Sequence, residues 1–390
     1  MSIPNPDILR WAREGAGLSL EEAARKLSLK SKGMSGAELL SAYETGTKVP
    51  TQKKLMDMAK QYHRPFITFF LPEPPMSASM GEDFRLLPDT QFDEHEGSVK
   101  ALVRDIYIRQ SIVKEALIDG DEDIDIAFVS QGSTDTSIKK ACQVAINYFN
   151  IDIESYRRSA NPHDAFNYLR GCVERKGIYV LLVGDLGSHH SSISTEAFRG
   201  FALSDPVAPF VVINQNDSKA AWSFTLLHEV VHIWLGKTGI SAQNNEHIVE
   251  RFCNDVASNL LVTSGEVIKL YDEAMHSDEE FLPALQRLAQ DLNISASLVA
   301  YRLFRQNMIS QAEWVQVRTK LRDLWLKSKA QPKSKTSDAG GDFYNTRRHR
   351  AGGALIELVR RSLHDGVITE TKAGRVLGVS PGNVAQMVGL

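Results

Sequence analysis

The sequence predicts a multidomain protein, mainly α with a small sheet: an N-terminal helix-turn-helix bundle, a central α+β domain and a C-terminal helical module. Three observations carry this reading. The chain has 390 residues, more than one ordinary domain holds. Apolar residues recur at helical spacing along most of it, with capping residues and glycines punctuating short helices at both ends. Only three apolar runs have strand length, at 178–183, 198–203 and 210–214. A composition that is 43% hydrophobic and 24% charged excludes a disordered or collagen-like chain. None of the apolar runs nears the roughly 20 residues that span a bilayer. Residues 1–7 lack the basic start and apolar core of a signal peptide. Cys142, Cys172 and Cys253 are odd in number and far apart, so neither a disulfide framework nor a cysteine zinc knuckle is expected. These features predict a cytoplasmic protein with no membrane partner.

Residues 1–75 read as one module. Ile8, Leu9, Ala12 and Ala16 form a first stripe that stops at Gly17. Ser19, with Glu22 three positions on, is a capping-box pattern before a helix that turns Ala23, Ala24 and Leu27 inward. A third helix is expected over 37–43. A fourth opens at Pro50-Thr51 and carries Leu55, Met58, Ala59 and Tyr62 on one face. Up to Pro72 there are eleven basic and seven acidic residues, a net +4 that leaves −7 for the remainder of a chain of net charge −3. A basic module on an acidic body points to nucleic acid. The helical pattern alone fits a helix-turn-helix or a small dimerisation bundle equally well.

The wording of the segment then adds to its pattern. Leu9-Arg10-Trp11-Ala12-Arg13-Glu14-Gly15-Ala16-Gly17-Leu18-Ser19 resembles the opening of XRE-type helix-turn-helix domains. So do Tyr43-Glu44-Thr45-Gly46-Thr47-Lys48-Val49-Pro50-Thr51 and Arg64-Pro65-Phe66. The resemblance implies DNA as a partner, with Lys30, Lys32, Ser41, Lys48 and Lys53 as candidate contacts. The expected recognition helix, however, shows Ala37, Glu38, Leu39, Ser41 and Ala42, with no Arg, Gln or Asn to read base edges.

Residues 76–135 form a helical connector, opened by Asp83-Phe84-Arg85 and carrying Val99, Leu102, Val103, Ile106 and Tyr107 on a helix. Asp119, Asp121, Glu122, Asp123 and Asp125 imitate the start of a calcium loop. Ile124 and Ser130 stand where that loop needs Gly and Glu, so a solvated turn is expected. Residues 136–328 hold the central domain. The polar stretch 329–350, with Gly340-Gly341 and a basic end, reads as a linker. Residues 351–390 read as a small helical module, with Thr369-Glu370 and Gly378-Val379-Ser380-Pro381 as the punctuation of a second helix-turn-helix-like unit.

The chemistry is carried by Leu226-Leu227-His228-Glu229-Val230-Val231-His232-Ile233-Trp234-Leu235. Histidines four apart on a helix lie about 6 Å apart along the axis and some 40° apart around it, so His228 and His232 can meet one ion. Glu229 can reach a water there rather than the ion itself. A catalytic zinc needs a third protein ligand. Position 238 is Thr, not the third His of a metzincin, so the ligand is sought on the next helix. There, beside the stripe Val249, Phe252, Val256 and Leu260, Glu250 would complete a His-His-Glu set. Asn254, four residues on, could hold a ligand histidine by its second ring nitrogen. Glu246 is the rival ligand and His247 a weaker one. His247, Tyr301 and Arg302 are candidate oxyanion stabilisers. The segment 207–214 could be an edge strand that binds an extended peptide, or an ordinary core strand. His189-His190 lie in a Ser/Gly-rich loop with no carboxylate at ligand spacing, so no second metal is expected there.

Phe224-Thr225-Leu226-Leu227-His228-Glu229, preceded by Val212-Ile213-Asn214, resembles the ImmA/IrrE family of zinc metallopeptidases. Glu250-Arg251-Phe252-Cys253-Asn254-Asp255-Val256-Ala257 is similar to the family's Glu-x-x-Ala-Asn-x-Phe-Ala segment, with Cys253 for Ala, Val256 for Phe and Thr263 where Pro is usual. Ile294-Ser295 and Tyr301-Arg302-Leu303 match its helical extension. The resemblance implies a gluzincin-like fold, one Zn2+ and regulated cleavage of a protein partner. That partner is often a repressor encoded nearby, in phages, mobile elements or toxin–antitoxin-like gene pairs. Two functions are therefore expected to compete. One is a transcription-regulating zinc endopeptidase with Glu229 as its base. The other is a helix-turn-helix regulator or antitoxin whose peptidase-like domain senses a ligand or partner with little proteolysis. A weaker third makes both end modules protein-interaction surfaces, and pairing of two copies as a homodimer stays open.

Overall fold

The computed structural model describes residues 3–31, 33–62, 64–73, 96–187, 191–240, 248–275, 281–330 and 343–389. Lys32, Asp83 to Arg85, His189-His190, Glu246 and His247 lie outside them. The chain divides into two compact units, residues 1–107 with 185–197, and residues 108–184 with 198–390.

In the first unit α1 (Pro6–Glu14), α2 (Leu20–Lys26), α3 (Gly36–Glu44) and α4 (Gln52–Gln61) are followed by a 3-10 turn over Phe66–Phe70. The expected stripe is buried: Ile8, Leu9, Ala12, Ala23, Ala24 and Leu27 meet Leu40, Leu55, Met58, Tyr62 and Phe69 in one core. The start of α2 is capped as its sequence predicts. The Glu22 amide donates to Ser19 Oγ, and the Ser19 amide donates back to Glu22 Oε2. Ser35 and Glu38 make the same reciprocal pair at α3, and Thr51 caps α4. The long helix α5 (Glu96–Asp119) begins in this unit and ends in the second.

The second unit opens with α6 (Ile138–Phe149), α7 (Ile153–Arg157) and α8 (Pro162–Glu174). Three strands follow where the apolar runs predict them: β1 (Tyr179–Val183), β2 (Gly200–Leu203) and β3 (Phe210–Asn214). Then come α9 (Lys219–Trp234), the two-residue β4 (Gly239–Ile240), α10 (Ile248–Leu261), α11 (Ser264–Met275), α12 (Phe281–Asp291), α13 (Ala296–Arg305) and α14 (Gln311–Ala330). The sheet order is β1-β3-β2-β4. β1 runs parallel to β3, pairing Tyr179 with Phe210, while β2 is antiparallel to both β3 and β4. β3 is therefore an interior strand with all five residues buried, which corrects the edge-strand expectation for 207–214. A run of five apolar or buried positions without polar alternation suits a strand covered on both faces.

α9 lies between the sheet and the helices α8 and α10, and it is buried around nearly its whole circumference. This is what a helix apolar on all sides requires. Asn214 ends β3 and ties the turn to the chain before β2, its Nδ2 donating to the Phe198 carbonyl at 3.0 Å.

The chain ends in α15 (Phe343–Ala351), α16 (Gly353–His364), α17 (Glu370–Leu377) and α18 (Val384–Val388). Residues 343–350, read as the end of a linker, are thus helical. Arg348 explains part of this, since its guanidinium caps the carbonyls of Gln386 and Met387 at the end of α18. Residues 331–342 lie outside the described set. Among the described residues no helix is long and apolar enough to cross a membrane.

Candidate metal centre

Two helices build the site. α9 brings His228 and His232 to one side, with ring centroids 4.8 Å apart and Nε2 atoms 3.0 Å apart. α10 packs against α9 and delivers Glu250 to both: Oε2 stands 3.3 Å from His228 Nε2, and Oε1 3.2 Å from His232 Nε2. The three residues offer ligand atoms that all lie within 4.8 Å of one another, and among the described residues this is the group of His, Cys, Asp or Glu that could hold a metal ion. Two imidazole nitrogens and a carboxylate are a donor set that suits a divalent first-row metal, zinc included.

The electrostatics favour positive charge at this point. Burial works to raise the Glu250 carboxyl, yet hydrogen bonds and attraction from the two imidazoles hold it well below the usual carboxylate range. Burial works to lower His232, but hydrogen bonds to Cys253 and Glu250, with Glu229 nearby, hold it well above its ordinary value. A carboxylate kept ionised against desolvation beside two imidazole nitrogens carries a charge that a cation would neutralise.

The end of α9 is fixed by backbone chemistry. Gly236 takes a left-handed φ of 66°, and the Lys237 amide donates to the His232 carbonyl at 2.9 Å, closing the helix in a Schellman-type turn. The amides of Ser130 and Gly132 meet the carbonyls of Ile233 and Trp234 at 3.1 and 2.7 Å. The last turn, which carries His232, therefore has its orphan acceptors satisfied.

Glu229 is fully buried beside the ligand pair. Across from it runs β2, at Gly200. A Cβ on Gly200 would lie 2.9 Å from Glu229 Oε1 and 2.6 Å from Thr225 Cγ2. Only a glycine lets the strand come this close to the carboxylate.

The other expected positions are placed as follows. Asn254 is half-buried on α10, and its neighbour Cys253 is buried and acts with Glu250 to raise His232. Burial raises the Cys253 thiol, against the opposing pull of His232. The Tyr301 hydroxyl donates to Asp255 Oδ1 at 2.9 Å. The Arg302 guanidinium donates to Asn259 Oδ1 and Ser264 Oγ, at 2.7 and 2.9 Å. Tyr301 and Arg302 are thus engaged in joining α13 to α10 and α11, and the third oxyanion candidate, His247, lies outside the described residues. In the first unit Lys30, Lys48 and Lys53 are exposed and Ser41 is half-buried. Lys48 Nζ reaches Met34 Sδ at 3.2 Å.

Sequence reasoning missed Gly200 and the role of Cys253. Cys253 stands three residues after Glu250, so helical spacing could have placed it on the ligand face. For Gly200 no local pattern points to Glu229.

Residues 174–304 match the family model of the IrrE N-terminal-like domain, Peptidase_M78. That span runs from the last residue of α8 into α13 and contains the sheet, α9 and α10. The match supports the ImmA/IrrE resemblance, and such a domain fits a regulatory metallopeptidase. No curated protein and no solved structure matches the chain.

Proposed function

We propose that this chain is a zinc-dependent endopeptidase with a gluzincin-like catalytic domain, which controls transcription by cutting a protein partner such as a repressor or toxin. The observation that carries the reading is the meeting of His228, His232 and Glu250 beside the buried Glu229. A zinc ion held by the three would supply Lewis acidity to a water and to the scissile carbonyl. Glu229 takes the proton of the attacking water and returns it to the leaving amine. Gly200 lets β2 come up against that carboxylate, and Cys253 on α10 helps hold the His232 proton. The deciding experiment is Glu229→Gln, assayed with the natural partner. It should retain metal and lose cleavage, whereas cleavage at the wild-type rate would refute the assignment of the base.

In this reading α2 and α3 are a helix-turn-helix of XRE type that brings the enzyme to DNA or to its regulator. The exposed lysines Lys30, Lys48 and Lys53 support phosphate contacts, which supply most non-specific affinity. Glu38, the charged side chain at the start of α3, is occupied in the capping box, so base reading by this helix is weak. The same lysines favour the second reading, a DNA-bound regulator or antitoxin with little turnover. Under that reading Glu229→Gln leaves repression in cells unchanged.

A further inference from the structure

Residues 343–389 close the second unit, and their buried residues, among them Leu355, Leu358, Val376 and Met387, do not join the main core that runs from Phe128 to Ile309, while a set of polar contacts ties them to α8. The central clasp is the buried pair Arg170–Glu174 on α8, joined at 2.9 Å. Arg170 donates to the carbonyls of His349 and Arg350 at the end of α15. Glu174 Oε2 accepts from the amides of Gly353 and Ala354 at the start of α16, at 3.1 and 3.3 Å. A cation thus meets one helix C-terminus and an anion the next helix N-terminus, each in the orientation that the helix dipole favours. At the far side Arg361 pairs with Glu122 and Lys372 with Glu115, both in solvent-exposed geometry. Exposed pairs of this kind contribute little.

Beside the clasp two histidines face each other. His163 of α8 and His349 of α15 bring their Nε2 atoms to 2.9 Å, with rings stacked at 4.7 Å. We propose that residues 343–389 form a docked module released by acid, with the His163–His349 pair as its latch. Whichever tautomers are present, only one hydrogen fits between the two facing nitrogens. When both imidazoles are protonated, two N–H groups oppose each other and the contact is lost.

The surroundings sharpen this. Arg170 from α8 and Lys219 from the first turn of α9 add positive charge against His349. Asp164 lies on the far nitrogen of His163, at 3.4 Å from Nδ1, and Glu174 is taken by Arg170. Asn167 stands 3.3 Å from His163 Nδ1 and from His349 Nε2. Burial, then Arg170, His163 and Lys219, push His349 down to about 4. A free imidazole titrates at about 6.5. The docked state therefore binds fewer protons than the released one, and docking is at full strength above that value and weakens as pH falls from it toward 4. Between pH ~7.5 and ~5.5 the docking equilibrium should fall about ten-fold. The latch does not depend on the metal centre cleaving anything.

The test is hydrogen exchange on the full-length protein at the two pH values, with rates corrected for intrinsic exchange. Amides of α15 and α16 should open about ten-fold more at the lower pH, while those of α9 and α10 stay unchanged. In His349→Gln the pH dependence should disappear, with metal content as in wild type. Equal protection of α15 at both pH values, or the same change in His349→Gln, would overturn the proposal. An NMR titration of His349 in the wild-type protein gives a second reading independent of any variant. A midpoint well below the free imidazole's supports the latch, and an ordinary one refutes it.

Discussion

Gly200 and Glu229 are packed so closely that a single methyl group on the glycine would sit 2.9 Å from the Glu229 carboxylate oxygen. The same methyl would lie 2.6 Å from Thr225 Cγ2 and 3.1 Å from the Val212 carbonyl. Gly200→Ala should therefore displace the carboxylate and cost about 1–3 kcal/mol by overpacking. Thermal unfolding and metal content check it: metal is expected to stay while cleavage falls. Adding Thr225→Ser, which removes the other clash, should recover stability but not cleavage. Recovery of both would mean that Gly200 serves packing alone.

The metal centre makes a stoichiometric prediction. Purified wild-type protein should carry about one zinc per chain, as a single-ion site with three protein ligands demands. His232→Ala and Glu250→Ala should each lose most of it, while Glu229→Gln keeps it. Elemental analysis after purification without chelator decides the matter. Equal metal in wild type and His232→Ala would remove the histidine pair from the site.

Gly236 tests the end of the motif helix. It holds a φ of 66°, and a side chain there would collide with Ser130 Oγ and lie 3.3 Å from Ser130 Cα. Gly236→Ala should destabilise the second unit by about 1–3 kcal/mol, from left-handed backbone strain plus the clash. A calorimetric or denaturant midpoint unchanged from wild type would show that the 130–132 segment gives way freely.

In the first unit Arg13 grips Glu44 with two hydrogen bonds of 2.7 and 2.9 Å, both partners buried. Arg13 also donates to the Leu18 carbonyl at 2.8 Å. Removing one partner strands the other, so Arg13→Met should cost about 3–5 kcal/mol. Glu44→Leu added to it should recover part of that loss. Additive losses in the double variant would exclude a coupled pair.

How much of this was legible depends on distance along the chain. His228, Glu229 and His232 are separated by one helical turn, and the periodicity of 3.6 is enough to bring them together. Ser19 with Glu22 is equally local. So is Ser35 with Glu38, whose Ser-x-x-Glu pattern was present but unread. The three strands followed from apolar runs, whereas the two-residue β4 is too short to leave one. Glu250 was reached by seeking a carboxylate on the next helix, which is an argument from coordination chemistry.

Tertiary structure alone decided the rest. Whether β3 is an edge or an interior strand depends on which neighbours pair with it, and an apolar run reads the same in both cases. Arg13 and Glu44 are two motif residues whose pairing no local spacing reveals. Gly200 touches Glu229 only because β2 crosses α9. Arg170 receives the end of α15 only because residues some 180 positions away return to α8. By itself the sequence determined the helix that presents the histidines and its chemistry, because hydrogen bonding and side-chain period act within a few residues. The folded chain decided which carboxylate, which glycine and which distant helix meet that chemistry, because close packing is settled between segments rather than within them.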